Sequence, residues 1–320
     1  MKFNLRKYQD ENDYWRIREF LRQVFLLNDR REMSWQVARF DYWRWHSVGN
    51  LGDGSLEDVS IWETIGSQTA DSQTADDQIA AVVNPEGLGE AHFSIHPAFY
   101  TPELVTEMVM TAEQSLAYAH PNGQKKLNAW VNEHQTYFKD VLIQRGYTQS
   151  DYTEYMRHRS LDDPILDAPP PPGYTVRPLG DGLELLERCY ASGLAFHDDD
   201  IHTARKNRDD PQWYRNLQTA PLYRRDLDMV AIASDGTVAS FCTIWFDDVT
   251  RSSYFEPVAT VPTHQRRGLG KSVMCEGLRR LKRMGATKAF VGSYAPDAHA
   301  LYTSVGFTKF ELLESWVKNL

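Results

Sequence analysis

Four consecutive prolines, Pro169–Pro172, stand almost at the midpoint of the chain, inside the stretch DDPILDAPPPPG that runs from Asp162 to Gly173. Proline lacks an amide hydrogen and its ring fixes φ, so such a run continues neither a helix nor a central strand and favours stiff, extended backbone. Whatever folds here must fold on either side of that break. With 320 residues, 42% of them hydrophobic, each side is large enough to bury a core of its own. The expected division is a first domain over 1–161, a linker over 162–173 and a second domain over 174–320.

A break at the midpoint invites a comparison of the halves. Asn4-Leu5-Arg6 leads into an amphipathic helical stretch through Leu26; Thr175-Val176-Arg177 leads into one through Leu194. Both halves then reach an apolar segment ending in proline, at His96-Pro97 and Val261-Pro262, followed by a long helix and a short strand (Lys126–Asn132 and Lys288–Tyr294). Each closes with a helix ending in a glycine-aromatic pair, Gly146-Tyr147 and Gly306-Phe307. The proline landmarks are 262 − 97 = 165 residues apart and the glycines 306 − 146 = 160. One fold used twice is expected, on the order of elements rather than on identity. The tandem SQTAD of Ser67–Asp71 and Ser72–Asp76 reads as a duplication in an exposed loop between two strands.

Net charge is −9, from 35 Lys+Arg against 44 Asp+Glu, which argues against a general nucleic-acid binder. Cys189, Cys242 and Cys275 are odd in number and widely spaced, so they form no disulfide framework or zinc set. The N-terminus has no apolar leader and no run of apolar residues is long enough to span a bilayer. A cytoplasmic protein with no nucleic acid, membrane or metal partner is expected, as a monomer or homodimer.

Chemistry concentrates in one stretch of the second half. Ser253–Val261 (SYFEPVATV) reads as a strand. After Pro262-Thr263-His264 comes Gln265-Arg266-Arg267-Gly268-Leu269-Gly270-Lys271-Ser272, and then Val273, Met274, Gly277, Leu278, Leu281 and Met284 at helical spacing up to Gly285. A strand thus feeds a glycine turn that opens a helix, where unpaired N–H groups and the helix dipole favour a phosphate or pyrophosphate. Two familiar phosphate motifs fail: a P-loop needs glycine at 265, which is Gln, and a dinucleotide fingerprint needs one at 273, which is Val.

The segment Gln265–Gly270 resembles the Q/R-x-x-G-x-G/A pyrophosphate loop of the GCN5-related N-acetyltransferases (GNAT), and the downstream Ala300-Leu301-Tyr302 with Gly306-Phe307 is similar to that family's A-L-Y-x-x-x-G-F segment. The resemblance covers the second half. It extends to the first only in element order, so the chain resembles tandem GNAT proteins of the mycothiol-synthase-like kind. It implies an α/β fold with a mixed, mainly antiparallel sheet flanked by helices in each half. It also implies an N-acyltransferase that moves an acetyl group from acetyl-CoA directly to a primary amine. The backbone of Val258, Ala259, Thr260 and Val261 would pair with the pantetheine arm. Gln265, Arg266, Arg267, Gly268, Leu269, Gly270, Lys271 and Ser272 would hold the pyrophosphate. Tyr302 would be the general acid at the leaving thiolate, and Glu256, on the strand leading into the loop, the base acting through a water. Asp297 stands where the family often has asparagine, and can be the helix N-cap.

The acceptor side is less defined. His197-Asp198-Asp199-Asp200-Ile201-His202 has no regular metal spacing; a carboxylate-lined wall would suit a small cationic amine, while a solvated acidic loop is the plain alternative. Tyr223 is a further candidate for the acceptor site. In the first half the loop position reads His96-Pro97-Ala98-Phe99-Tyr100-Thr101-Pro102-Glu103, without glycine or arginine, and Glu103 would repel pyrophosphate. The position matching Tyr302 is Leu142, so that half is expected to be degenerate. Trp35–His46 reads as an aromatic helix packed by default in the core, with cover for the domain interface or the acceptor site as the alternative. A non-catalytic acyl-CoA-binding sensor remains the alternative in function.

Overall fold

The computed structural model describes residues 2–52, 54–65, 78–121 and 123–320; the SQTAD repeat lies outside them. The first elements are β1 (Phe3–Lys7), α1 (Glu11–Leu27), α2 (Val37–Tyr42), a π-helical stretch Trp43–Leu51, β2 (Ser60–Thr64), β3 (Ile79–Asn84), β4 (Glu90–Ile95), α3 (Pro102–Ser115), β5 (Tyr118–Ala119), β6 (Lys125–Asn132), α4 (Thr136–Gln144) and β7 (Thr148–Ser160). There follow β8 (Tyr174–Pro178), α5 (Leu183–Phe196), α6 (Ile201–Asp209), α7 (Gln212–Leu217), β9 (Asp228–Ala233), β10 (Val238–Asp247), β11 (Ser252–Thr260), α8 (Leu269–Arg283), β12 (Lys288–Ser293), α9 (Pro296–Ser304) and β13 (Lys309–Asn319).

The chain forms two compact units, one of Met1–Glu154 with Glu311–Leu320, the other of Tyr155–Phe310. This differs from a linear division at 161 and 174. The stretch 162–173 carries no regular secondary structure, as its prolines dictate, but it belongs to the second unit. Ile165 and Ala168 pack on that unit's core, and Arg279 donates to the Leu166 carbonyl at 3.3 Å.

In the first unit, β1, β2, β3 and β4 pair antiparallel in order, and β4 pairs parallel with β6. The other neighbour of β6 is β13, antiparallel, from Leu313↔Asn132 to Asn319↔Lys126. The helix α1 explains itself locally: Asp10 caps it by accepting from the amides of Asn12 and Asp13, and Tyr14, Ile17, Leu21, Val24 and Phe25 bury one face. The aromatic segment is core, as expected, with Trp35, Phe40 and Trp43 each at most 4% exposed. Only Val37–Tyr42 of it is α-helical, however. Leu142, on α4, is fully buried.

The second unit repeats the plan. β8, β9, β10 and β11 pair antiparallel, β11 pairs parallel with β12, and β12 pairs antiparallel with Tyr155–Ser160 of β7. The strand outside the parallel pair is thus β13, from beyond Phe310, in the first unit, and the Tyr155–Ser160 part of β7, just before the proline stretch, in the second. The helix α8 lies close on the sheet because Gly277 has no side chain: a Cβ there would fall 2.2 Å from Cδ1 of Ile244. It stops at Gly285 (φ +85°), where the Ala286 amide returns to the Leu281 carbonyl at 3.0 Å. The three cysteines are free and buried, and among the described residues no helix is long and apolar enough to cross a membrane.

Candidate active site

The site of the second unit begins where two parallel strands separate. β11 and β12 are paired at Ser252↔Lys288, Ser253↔Ala289 and Tyr254↔Phe290, and there the ladder ends. Beyond it β11 stays paired with β10 through Thr260↔Ser240, and β12 with β7 through Ser293↔Tyr155. Between the diverging ends the backbone edge of β11 is left without a strand partner. At the point of separation β11 carries a bulge, Glu256 and Pro257 facing the single residue Thr243 between the pairs Phe255↔Ile244 and Val258↔Cys242. The Trp245 indole donates to the Glu256 carbonyl at 2.7 Å and fixes the bulge from the next strand.

A groove of about 520 Å³ opens there. Its walls include Val258, Ala259 and Thr260 of β11, Gln265, Arg266, Gly268, Leu269, Gly270 and Lys271 of the turn and the first residues of α8, and Ala298, Leu301 and Tyr302 of α9. The helix α8 starts at Leu269 with Gly268 as its cap, in the left-handed region at φ +82°, and no side chain caps it. Its first amides are therefore free for an anion, with the helix dipole behind them. Gly270 allows close approach, since a Cβ would meet Leu301 at 3.2 Å and the Thr260 hydroxyl at 3.4 Å. Gln265 bridges back to the Thr260 carbonyl at 3.3 Å. A pyrophosphate-bearing ligand with an amide-containing arm fits this donor set: uncapped helix amides and Lys271 for the anion, an open strand edge for the arm.

Three expected cofactor residues do not line the groove. Val261 is buried, and its amide donates to the Ala239 carbonyl. The Arg267 side chain turns to the Tyr174 hydroxyl and the Thr263 carbonyl. The Ser272 hydroxyl donates to the carbonyls of Gly268 and Pro169. Asp297 is not the helix cap: Ala295 holds that place without a side-chain bond, and Asp297 pairs with Arg266 at 3.3 Å on the surface. His264, Asp297, Ala298 and Ser304 also line the groove, none of them an expected cofactor residue, beside Ala300 and Leu301 of the A-L-Y segment. The α9 residues lie at helical spacing about Tyr302, and that periodicity is the signal that finds them.

Tyr302 is 7% exposed. Burial, with the Glu256 carboxylate adding to it, raises its pKa above the ordinary tyrosine value. The phenol keeps its proton at neutral pH, and Glu256 is near enough to be felt. The acceptor candidates fare differently. His197, Asp198 and Asp199 are exposed. Asp198 (φ +48°) and Asp199 (φ +64°) make the left-handed turn between α5 and α6, and Asp200 caps α6 through the amides of His202 and Thr203. None of them lines the groove. Tyr223 donates to the buried Asp228 carboxylate at 2.7 Å, beside Tyr214 at 2.7 Å, and accepts from Gln218. Its hydroxyl is committed to that network.

Residues 191–307 match the sequence profile of the acetyltransferase (GNAT) family. Among solved structures, a GCN5-related N-acetyltransferase from Sphaerobacter thermophilus is similar over 99% of this chain and 95% of its own, at 16% identity and a TM-score of 0.59. A tandem GNAT protein from the clavulanic acid biosynthesis pathway is similar over 99% and 98%, at 11% identity and a TM-score of 0.64. A GNAT-family acetyltransferase from Colwellia psychrerythraea aligns over 99% and 100%, at 12% identity and a TM-score of 0.59. No curated protein matches by sequence. The second unit carries a domain of the GNAT family. The chain as a whole has the tandem GNAT fold.

Proposed function

We propose that the second unit transfers an acetyl group from acetyl-CoA directly to the primary amine of a small, cationic acceptor. The observation behind this reading is the groove at the parting of β11 and β12, with an uncapped helix N-terminus on one side and Tyr302 in its wall. The thioester supplies the activated acyl group. The open edge of β11 aligns the arm that carries it, and the α8 amides with Lys271 hold the pyrophosphate. Glu256, at the bulge, takes the ammonium proton of the acceptor through a water, and Tyr302 gives its proton to the departing thiolate. At the matching position of the first unit, α3 opens with Pro102 and Glu103, and it is capped by the Thr101 hydroxyl, which accepts from the Leu104 amide at 3.3 Å. An internal anion and a filled cap both disfavour a pyrophosphate there, so the reading assigns one cofactor per chain.

Calorimetric titration with acetyl-CoA tests it. One site per chain is expected, abolished by Gly268→Glu, which strains a left-handed position and sets a negative charge at the helix start. Amine-dependent release of CoA thiol across a panel of amines then identifies the acceptor. Two sites per chain would mean that the first unit binds cofactor as well, against its filled helix cap. Binding without turnover on any amine would favour an acyl-CoA sensor, and no binding would end both readings.

A further inference from the structure

The turn that opens α8 holds two residues in the left-handed region, Arg266 at φ +61° and Gly268 at φ +82°. Glycine takes that conformation freely, whereas a residue with a Cβ takes it at a cost and keeps it only where its surroundings enforce it. The ion pair of Arg266 with Asp297 joins side chains 83% and 85% exposed, and such a pair enforces little. The firmer ties belong to the residues on either side, His264 and Arg267.

Both lead to Tyr174. Arg267 donates to the Tyr174 hydroxyl at 3.1 Å, and the same oxygen lies 2.9 Å from Nδ1 of His264, the tyrosine and imidazole rings meeting edge to face. A guanidinium only donates, so the tyrosine oxygen accepts from Arg267 and its hydrogen is left for His264. Burial and the Arg267 charge hold His264 below the ordinary histidine value, against the charge of Asp235, so the ring is neutral at neutral pH. Nδ1 then accepts from Tyr174 and the imidazole proton sits on Nε2, which has no partner among the described residues. In the other tautomer it is the tyrosine hydrogen that would lack a protein acceptor among them. His264 lines the groove.

The proline stretch puts Tyr174 in its place. The Tyr174 amide donates to the Pro171 carbonyl at 3.2 Å and Gly173 stands at φ +87°, so Pro172 and Gly173 fill the central positions of a type II turn. That turn delivers Tyr174 as the first residue of β8, opposite Ala233. Upstream, the stretch is tied along α8, with Arg279 donating to the Leu166 carbonyl at 3.3 Å and the Ser272 hydroxyl to the Pro169 carbonyl at 3.3 Å.

We propose that Tyr174 is a positioning residue of the cofactor loop: its hydroxyl, shared by Arg267 and His264, clamps the turn about the left-handed Arg266, aims the first α8 amides at the pyrophosphate, and leaves Nε2–H of His264 as a further donor on the groove wall. This rests on the acyl-CoA reading of the groove. Phenylalanine at 174 keeps the ring against the core, where Tyr174 packs, and releases both partners. The turn then relaxes from the conformation that Arg266 holds at a cost.

Two measurements on the full chain test this. In proton–nitrogen correlation spectra at neutral pH, with His264→Gln identifying the resonances, His264 is expected as the Nε2–H tautomer. Its titration midpoint is expected to rise by about half a pH unit or more in Tyr174→Phe, because a donor to Nδ1 that favours the neutral ring is gone. An Nδ1–H tautomer or an unmoved midpoint overturns the proposal, whatever the groove binds. By calorimetry, acetyl-CoA is expected to bind Tyr174→Phe roughly tenfold more weakly than the parent. In the Arg266→Gly background the loss is expected to shrink to about threefold or less, since glycine needs no clamp at that φ. Equal affinity of parent and Tyr174→Phe, or the same loss in both backgrounds, overturns the proposal and leaves the acyl-CoA reading standing. A parent that binds no acetyl-CoA ends both.

Discussion

Nη1 of Arg159 lies where a side chain on Gly306 would begin: a Cβ at Gly306 would fall 2.4 Å from it. The same nitrogen donates to the Val305 carbonyl at the end of α9, and Arg157 donates to the Phe307 carbonyl and the Thr303 hydroxyl. These two arginines, on β7, hold the helix that carries Tyr302. Gly306→Ala meets both the left-handed φ of +96° and the guanidinium, and is expected to cost about 2–4 kcal/mol in chemical denaturation. In a double-mutant cycle with Arg159→Ala the losses are expected to be less than additive. Full additivity would show that the two residues do not share this contact.

If Tyr302 gives the proton to the leaving thiolate, Tyr302→Phe lowers kcat by roughly 100-fold or more while acetyl-CoA affinity stays the same. Steady-state kinetics beside calorimetry checks both halves. Unchanged kcat would remove Tyr302 from the chemistry.

Burial raises the pKa of Tyr14, Tyr147, Tyr214, Tyr223 and Tyr302 in the folded chain. Each folded value lies above the unfolded one of 10.0, so each contribution to stability is fully present below that pH and is lost as pH rises towards the folded value. Urea midpoints measured from pH 9 to 11 are expected to fall above pH 10. Tyr223→Phe is expected to flatten that fall by about 1.4 kcal/mol per pH unit. A variant with the same slope as the parent would remove Tyr223 from this set.

The turn of Asp198 and Asp199 serves backbone geometry, and asparagine takes the left-handed region as readily as aspartate. The double Asp198→Asn, Asp199→Asn variant is expected to leave the acceptor KM unchanged. Asp200→Ala, which removes the cap of α6, is expected to cost about 1 kcal/mol. A tenfold rise in KM in the double variant would restore the acidic wall.

How much of the molecule is legible in its letters follows from the range of the forces involved. The turn Gln265–Lys271 is set by local requirements, a left-handed glycine and an uncapped helix start, and these show in the letters themselves. The hairpin turn at Asp235-Gly236, between β9 and β10, is likewise local: a short Asp-Gly pair with the glycine at φ +89°. Which strand lies beside β6 is not local. β13 and β7 have similar patterns, and only the ladder from Leu313 to Asn319 reveals the exchange. Tyr223 misleads for a related reason: its partner Asp228 sits on the next strand, and an aromatic residue near a site reads alike whether its hydroxyl is free or spent. The cluster His197–Asp200 reads as a charged wall because composition shows charge but not the sign of φ.

The exchange of strands sets an order of assembly on the ribosome. Chain synthesis runs from N- to C-terminus, so all of the second unit is made before the strand that completes the first. Until Glu311–Leu320 emerges, β6 of the first unit keeps an open edge where β13 belongs, and the cluster of Glu32, Asn132 and Arg31 lacks Glu311. The half translated first is thus the half finished last. Releasing the chain ten residues early would leave every strand of the second unit's sheet present and the first unit's sheet one strand short.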